Sequence, residues 1–210
     1  MKTLLLSSSG STIFKFLPSI INKPITQLKL AWITTASKGV DDVSYLERHK
    51  QKMIELGWNF TEVDIEGKTV ETLRNLLKDK DIIHVEGGNT FYLLKAVKES
   101  GFDKVIKERI AGGVVYVGSS AGSYIMCPTI EMSTWKPDAK PRYGLTDLTG
   151  LNQVPFLLFV HYDPKYKKLL KQAIKKTKYP VKILTDDQAL LVKNGKAELI
   201  GEGSEIKLAA

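Results

Sequence analysis

Residues 113–127, GVVYVGSSAGSYIMC, pass from an apolar run through a turn of small residues into a segment that can begin a helix. The run VVYV at 114–117 is typical of a strand that is covered on both faces. Similar runs recur along the chain, each followed by a helical pattern: TLLL at 3–6, LKLAWITTA at 28–36, FTEVDI at 60–65 and DIIHV at 81–85. This alternation predicts an α/β three-layer sandwich with a mostly parallel central sheet.

Length and composition bound the broad class of the protein. The chain has 210 residues, 43% of them hydrophobic and 26% charged, which predicts a single globular domain over residues 1–210. The lone Cys127 excludes an internal disulfide, is typical of a cytosolic protein and is expected in the core. No segment resembles a secretory signal or approaches the roughly 20 apolar residues that span a bilayer. We therefore predict a soluble, cytoplasmic protein without a membrane partner.

The net charge of +8 lies partly in KYKKLLKQAIKKTKYP at 165–180. Leucine, alanine and isoleucine fall on one helical face of this segment and lysines on the rest, which predicts a solvated amphipathic helix. Arginines and aromatics are not interleaved there as a stacking surface requires, so we predict no nucleic-acid partner. A long loop is predicted over residues 132–152, and a hairpin that turns at Asn194 and Gly195 follows the lysine-rich helix.

The turn in the opening stretch contains three serines, and only Ser120 has glycine two positions away on both sides, at Gly118 and Gly122. A nucleophile on a sharp turn from strand to helix crowds those two positions, so they must be very small. Ser119 and Ser123 fail this requirement. The alternative is that these glycines and serines only cap the helix. The strand before and the helix after favour Ser120 as a nucleophile.

A serine nucleophile needs a base within hydrogen-bonding reach, and the chain has three histidines. His49 lies on a charged helical face and is expected to be solvated. His84 lies within the predicted strand DIIHV, as a buried or supporting residue. His161 follows the apolar run VPFLLFV at 154–160, at the carboxyl end of a predicted strand, where open α/β sheets bind ligands. We therefore predict His161 as the base, with His84 as the alternative.

A second glycine turn, GGNT at 87–90, follows the strand DIIHV. A backbone amide of this turn and the amide of Ala121 are the predicted oxyanion hole. Asn89 and Thr90 are predicted to bind substrate, although either residue can instead cap the following helix. The turn is not a phosphate loop, because no Gly-Lys-Ser/Thr sequence follows it.

Three segments together resemble peptidase family S51, whose members include aspartyl dipeptidases and, more distantly, cyanophycinases. They are GGNTFYLLK at 87–95, YVGSSAGSYIMCPTI at 116–130 and PFLLFVHYDP at 155–164, in the family's order and with similar separations. The resemblance implies a flavodoxin-like fold similar to class I glutamine amidotransferases. It also implies Ser120 as nucleophile, His161 as base and an oxyanion hole at Gly88 and Ala121. Dimers are usual in the family, which implies a homodimer.

The acid of the triad does not transfer from the resemblance. In the aspartyl dipeptidases an aspartate lies about fifteen residues after the nucleophile, and Trp135 stands at that offset here. Glu131, Asp138 and Asp163 are the candidates to orient the base. We favour Glu131, because it lies next to a predicted regular element that can hold it rigidly.

These features predict a serine peptidase that acts on short peptides through an acyl-enzyme and needs no metal or cofactor. The family's insertion with arginines after the histidine is missing here, so strict preference for N-terminal aspartate is not expected. Two other functions stay open. The same machinery suits an esterase or amidase, and an incomplete triad suits a non-catalytic binding protein with an amidotransferase-like scaffold.

Overall fold

The computed structural model describes residues 2–137 and 141–208. Within these ranges seven strands form one sheet in the order β3-β2-β4-β5-β1-β8-β9, and two further strands, β6 and β7, pair separately. The first five strands of that order run parallel, β8 runs antiparallel to β1, and β9 runs antiparallel to β8. The predicted α/β fold with a mostly parallel central sheet is confirmed.

The strands are β1 Thr3–Ser7, β2 Lys29–Ile33, β3 Asn59–Val63, β4 Ile82–Val85, β5 Val115–Ser119, β6 Leu157–Phe159, β7 Val181–Ile183, β8 Gln188–Lys193 and β9 Lys196–Gly201. The helices are α1 Ser11–Ile20, α2 Ser44–Glu55, α3 Val70–Leu77, α4 Thr90–Ser100, α5 Phe102–Ala111, α6 Ala121–Tyr124 and α7 Lys167–Ile174. Short 3-10 helices include Thr35–Gly39, Glu131–Thr134 and Pro164–Tyr166.

The three consecutive leucines of β1 show why the sheet needs helices on both faces. Neighbouring side chains of a strand point to opposite faces. Leu4 and Leu6 pack into the core that contains α3, α4 and α5, and Leu5 packs into the core that contains α1. All three side chains are fully buried. A strand with helices on both faces gains from an unbroken apolar run rather than from alternation with polar residues.

The carboxyl-terminal part of the chain completes one edge of the sheet. Strands β8 and β9 form the predicted hairpin, in which Asn194 and Gly195 both have positive φ, 49° and 83°. The lysine-rich segment forms α7, and Leu170 packs with Phe159 and Ile183 in a small cluster of its own. Among the helices of the described ranges, none is both long and apolar enough to cross a membrane.

Candidate active site

Ser120 lies at the tight turn between β5 and α6, with φ 46° and ψ −104°. A positive φ is strained for a residue with a side chain and is typical of a nucleophile held on a strand-to-helix turn. The Ser120 amide donates to the carbonyl oxygen of Ser7 at 3.0 Å, which ties the turn to β1. The other serines face away: Ser119 Oγ lies 3.0 Å from His84 Nε2, and Ser123 Oγ lies 2.8 Å from the carbonyl oxygen of Gly118.

The two glycines beside Ser120 are required by close backbone contacts. A Cβ atom at Gly118 would lie 2.7 Å from the carbonyl oxygen of Gly122. A Cβ atom at Gly122 would lie 2.1 Å from the carbonyl oxygen of Val85, a main-chain atom that cannot rotate away. The glycine spacing seen in the sequence therefore reflects close packing within the turn at Gly118 and against β4 at Gly122.

Gly122→Ala is expected to lower the free energy of unfolding by about 2 to 3 kcal/mol, because its methyl group overlaps the backbone of β4. Gly112→Ala is the matched control, since φ there is −74° and the nearest atoms to an added Cβ lie at 3.4 Å. The control is expected to change stability by less than about 0.5 kcal/mol. Urea unfolding of both variants measures the difference, and equal stabilities would contradict this packing account.

The structure brings His161 to Ser120, although the two residues are 41 positions apart in the chain. His161 Nε2 lies 2.9 Å from Ser120 Oγ. The backbone of His161 has φ 56°, and its amide donates to Ser8 Oγ at 2.8 Å. The residue is thus held in an unusual conformation by a hydroxyl from the loop after β1. The imidazole is 41% exposed and so stands at the surface of the site.

The acid next to His161 is Asp186, which the sequence did not reveal. Asp186 Oδ1 lies 2.5 Å from His161 Nδ1 and accepts a hydrogen bond from Ser8 Oγ at 2.8 Å. The hydrogen bond with His161 lowers the pKa of the Asp186 carboxyl below its ordinary value. Asp186 is therefore ionised at neutral pH and can hold a proton on Nδ1 of the imidazole.

The expectation that Glu131 is this acid is wrong for the observed geometry, because both ring nitrogens of His161 already have partners. Glu131 begins the 3-10 helix Glu131–Thr134 and lines a surface depression against α7. Asp163 accepts from the amide of Lys165 and caps the turn Pro164–Tyr166. The third candidate, Asp138, lies outside the described residues.

Strand pairing explains why an acid so distant in the chain reaches His161. β6 and β7 are parallel neighbours, with Phe159 opposite Ile183. Because parallel strands leave a sheet at the same edge, the loop that carries His161 and the loop that carries Asp186 emerge side by side. In the sequence, the only indication of this acid was that Asp186 closely follows the apolar segment VKIL at 181–184. Assigning Asp186 to His161 also required knowledge that β6 and β7 pair.

The other two histidines take no part in this contact. His84 is fully buried, and burial lowers its pKa to about 4, so it stays neutral beside Ser119. His49 was expected to be solvated, and this is wrong. Its side chain is only 13% exposed, and its Nδ1 lies 3.0 Å from a carboxylate oxygen of the buried Glu86.

The glycine turn after β4 lies beside Ser120. Gly88 has φ 144°, and a Cβ atom there would lie 2.3 Å from the carbonyl oxygen of Ala36, so no larger residue fits. In the part of the chain that the structure describes, the amide N–H groups of Gly88 and Ala121 have no hydrogen-bond acceptor. Ala121 is the first residue of α6, where an amide has no partner within the helix.

Asn89 was predicted to bind substrate, but its side chain is fully buried and its polar atoms are hydrogen-bonded within the protein. Its Oδ1 accepts from the amides of Phe91 and Tyr92 at 2.9 and 3.0 Å, which caps α4, and its Nδ2 donates to Pro141. The capping alternative is the one observed. Thr90 lines a cavity beside Ser120, so its contact with substrate stays a prediction.

Ser120 and His161 line two cavities. The larger, about 440 Å³, is lined mostly by polar residues from the loop after β1, from α2 and from the glycine turn. The smaller, about 150 Å³, combines the apolar side chains of Phe91, Tyr124, Met132 and Val160 with polar ones that include Thr90 and Lys136. Within residues 2–137 and 141–208, no three His, Cys, Asp or Glu side chains are grouped as ligands for a metal ion.

Comparisons with known proteins extend over nearly the whole chain. The sequence model of peptidase family S51 matches residues 3–200. The uncharacterized peptidase Lin0382 of Listeria innocua serovar 6a is 32% identical over 201 residues, which cover 92% of this chain and 94% of the relative. A peptidase E of Shewanella denitrificans is 28% identical, with 96% and 88% covered. The crystal structure of a candidate peptidase E protein from Listeria monocytogenes EGD-e, 28% identical, matches with a TM-score of 0.85 over 97% of this chain and 100% of that one.

Proposed function

Because the chain belongs to peptidase family S51, we propose that it hydrolyses short peptides as a serine peptidase with Ser120 as its nucleophile. Membership of the family makes the protein a hydrolase and a peptidase, as the sequence predicted. The triad, the acyl-enzyme and the length of the substrate belong to the proposal.

One observation carries the proposal: a continuous hydrogen-bonded chain from Ser120 Oγ through His161 to Asp186. The two contacts measure 2.9 and 2.5 Å. Ionised Asp186 accepts a hydrogen bond from Nδ1–H of His161, which keeps the proton on Nδ1 and leaves Nε2 of the neutral imidazole as the acceptor that faces Ser120 Oγ. This is the arrangement in which a histidine activates a serine as nucleophile and an acid fixes its tautomer.

Each proposed step uses a group already in place. His161 takes the proton from Ser120 as Oγ bonds to the peptide carbonyl carbon, and the carbonyl electrons move onto oxygen. The amides of Gly88 and Ala121 donate to that oxyanion, since both lack other acceptors. Collapse of the intermediate breaks the C–N bond, and His161 gives its proton to the leaving amine. His161 then deprotonates a water molecule that attacks the acyl carbonyl carbon, and it returns this proton to Ser120 Oγ as the ester C–O bond breaks and the acid product leaves.

The two cavities favour a short substrate. A peptide whose scissile bond lies at Ser120 has room for about one residue in the 150 Å³ cavity and for a few in the 440 Å³ cavity. Thr90 and Phe91 line the smaller cavity, and we propose that they contact one substrate side chain. The proposed steps need no metal or cofactor.

A panel of dipeptides, tripeptides and longer peptides, with matched amides and esters, tests the function. The expected result is hydrolysis of short peptides with kcat/KM at least about tenfold above that for peptides of eight residues. Rates unchanged by EDTA are expected as well. Cleavage of esters or simple amides without any peptide would favour the esterase or amidase alternative. Absence of turnover on every substrate class would favour a binding protein and contradict the proposal.

A further inference from the structure

The peptide unit between Gly87 and Gly88 is hydrogen-bonded by a residue of α2, outside the glycine turn. Tyr45 Oη donates a hydrogen bond to the carbonyl oxygen of Gly87 at 2.9 Å. In a planar trans peptide, the carbonyl of one residue and the N–H of the next point in opposite directions. Tyr45 therefore fixes the direction of the Gly88 N–H, although it does not touch that group.

A buried carboxylate holds the other side of Gly87. Glu86 Oε1 accepts from the Gly87 amide at 2.9 Å, and Glu86 Oε2 accepts from Trp32 Nε1 at 3.1 Å and from His49 Nδ1 at 3.0 Å. Burial alone would raise the pKa of Glu86, yet the nearby His84 and His49 and the hydrogen bond from the Gly87 amide lower it to about 2. Tyr45 and His49 are four positions apart and thus share one face of α2. Through these two residues, α2 makes hydrogen bonds to Glu86 and Gly87, where the chain enters the glycine turn.

The turn needs such support because glycine allows alternative backbone conformations. Gly88 must be glycine because a side chain there would overlap the backbone of Ala36. With glycine on both sides, the peptide unit between Gly87 and Gly88 rotates at a lower energetic cost. A rotation of that unit by half a turn would exchange the positions of the Gly87 carbonyl and the Gly88 N–H. An oxyanion would then meet an oxygen instead of a donor.

We propose that Tyr45 is a positioning residue for catalysis, whose hydroxyl holds the Gly88 N–H toward the oxyanion. The inference rests on the proposed function, because it assigns a support to one donor of that oxyanion hole. Burial, and then the charge of Glu86, raise the pKa of Tyr45 above its ordinary value, so the phenol stays protonated and remains a donor. A hydrogen bond to the carbonyl also polarises the peptide unit and strengthens its N–H as a donor.

Tyr45→Phe tests the inference, because it removes the hydroxyl and keeps the ring. The expected result is a fall in kcat by about tenfold with KM changed by less than about twofold, since the support acts on the transition state. A peptide boronic acid, which forms a tetrahedral adduct on a serine, is expected to bind more weakly by the same factor. The midpoint of thermal unfolding should stay close to that of the parent protein.

Tyr92→Phe is the matched control. The hydroxyl of Tyr92 donates to Glu66 Oε1 at 2.6 Å on the exposed side of α4, so this variant also loses one tyrosine hydrogen bond. Its kcat is expected to be unchanged. An equal fall in kcat for both variants would overturn the inference, and so would an unchanged kcat in Tyr45→Phe. A rise in KM alone would assign Tyr45 to substrate binding and would also overturn it.

Failure of this inference is distinguishable from failure of the proposed function. If Ser120→Ala abolishes hydrolysis and Tyr45→Phe has no effect, only the role of Tyr45 is wrong. If Ser120→Ala hydrolyses peptides as fast as the parent protein, the proposed nucleophile is wrong and Tyr45 has no oxyanion hole to support.

Discussion

Ser120→Ala is expected to lower kcat for a short peptide by about 10⁵-fold or more, because no other group in the site can take over the nucleophilic attack. Ser120 Oγ lies 2.9 Å from His161 Nε2, on a strained turn that the flanking glycines permit. The substitution removes one oxygen and keeps a small side chain, so the fold is expected to survive. Steady-state assays on the best dipeptide of the panel, with protein purified free of host peptidases, measure the loss.

Ser123→Ala is the control for this experiment. The Ser123 hydroxyl lies 2.8 Å from the backbone carbonyl oxygens of Ser7 and Gly118 and has no contact with the imidazole of His161. Its loss is expected to reduce stability by about 1 kcal/mol and to leave kcat within about threefold. Comparable activity in Ser120→Ala and the parent protein would contradict the assignment of the nucleophile.

Asp186→Asn is expected to lower kcat by about 10³- to 10⁴-fold. An asparagine amide that faces His161 Nδ1 can donate its own proton there, which favours the tautomer with hydrogen on Nε2. That tautomer cannot accept the proton of Ser120. The Asp186 side chain is 61% exposed, so water can replace part of the lost contact, which favours the lower end of this range.

Glu131→Gln and Asp163→Asn serve as controls for the acid. Neither carboxylate contacts His161, and Asp163 instead accepts from the amide of Lys165. Both variants are expected to keep kcat within about twofold of the parent value, as for surface substitutions away from a site. A loss in Glu131→Gln as large as that in Asp186→Asn would restore the expectation from the sequence and contradict the observed geometry.

Local patterns along the chain were sufficient to predict most of the fold and two members of the candidate triad. The unbroken apolar run of Leu4 to Leu6 indicated a strand with helices on both faces. The glycines around Ser120 indicated a turn that tolerates no side chain at those positions. His161 was found from its place at the end of an apolar run. Each of these inferences uses only the types and spacing of residues that are close together in the sequence.

Features that depend on contacts between distant segments could not be predicted. Asp186 reaches His161 only because β6 and β7 pair in parallel, and periodicity gives no information on which strands pair. His49 is expected to be solvated from its charged neighbours, yet it binds Glu86, which lies 37 positions later. Asn89 caps α4 through residues next to it in sequence, but its Nδ2 donates to the carbonyl oxygen of Pro141, in a remote loop that local patterns do not reveal.

The formation of a covalent bond at Ser120 is the central claim, and a fluorophosphonate probe tests it most directly. Incubation of the folded protein with the probe, followed by digestion and mass spectrometry, is expected to reveal one adduct, on Ser120. The adduct should be absent from Ser120→Ala and should form at least about a hundredfold more slowly in Asp186→Asn, because the histidine no longer activates the serine. A protein that hydrolyses peptides yet carries no adduct on Ser120, or carries it on another residue, would contradict the account.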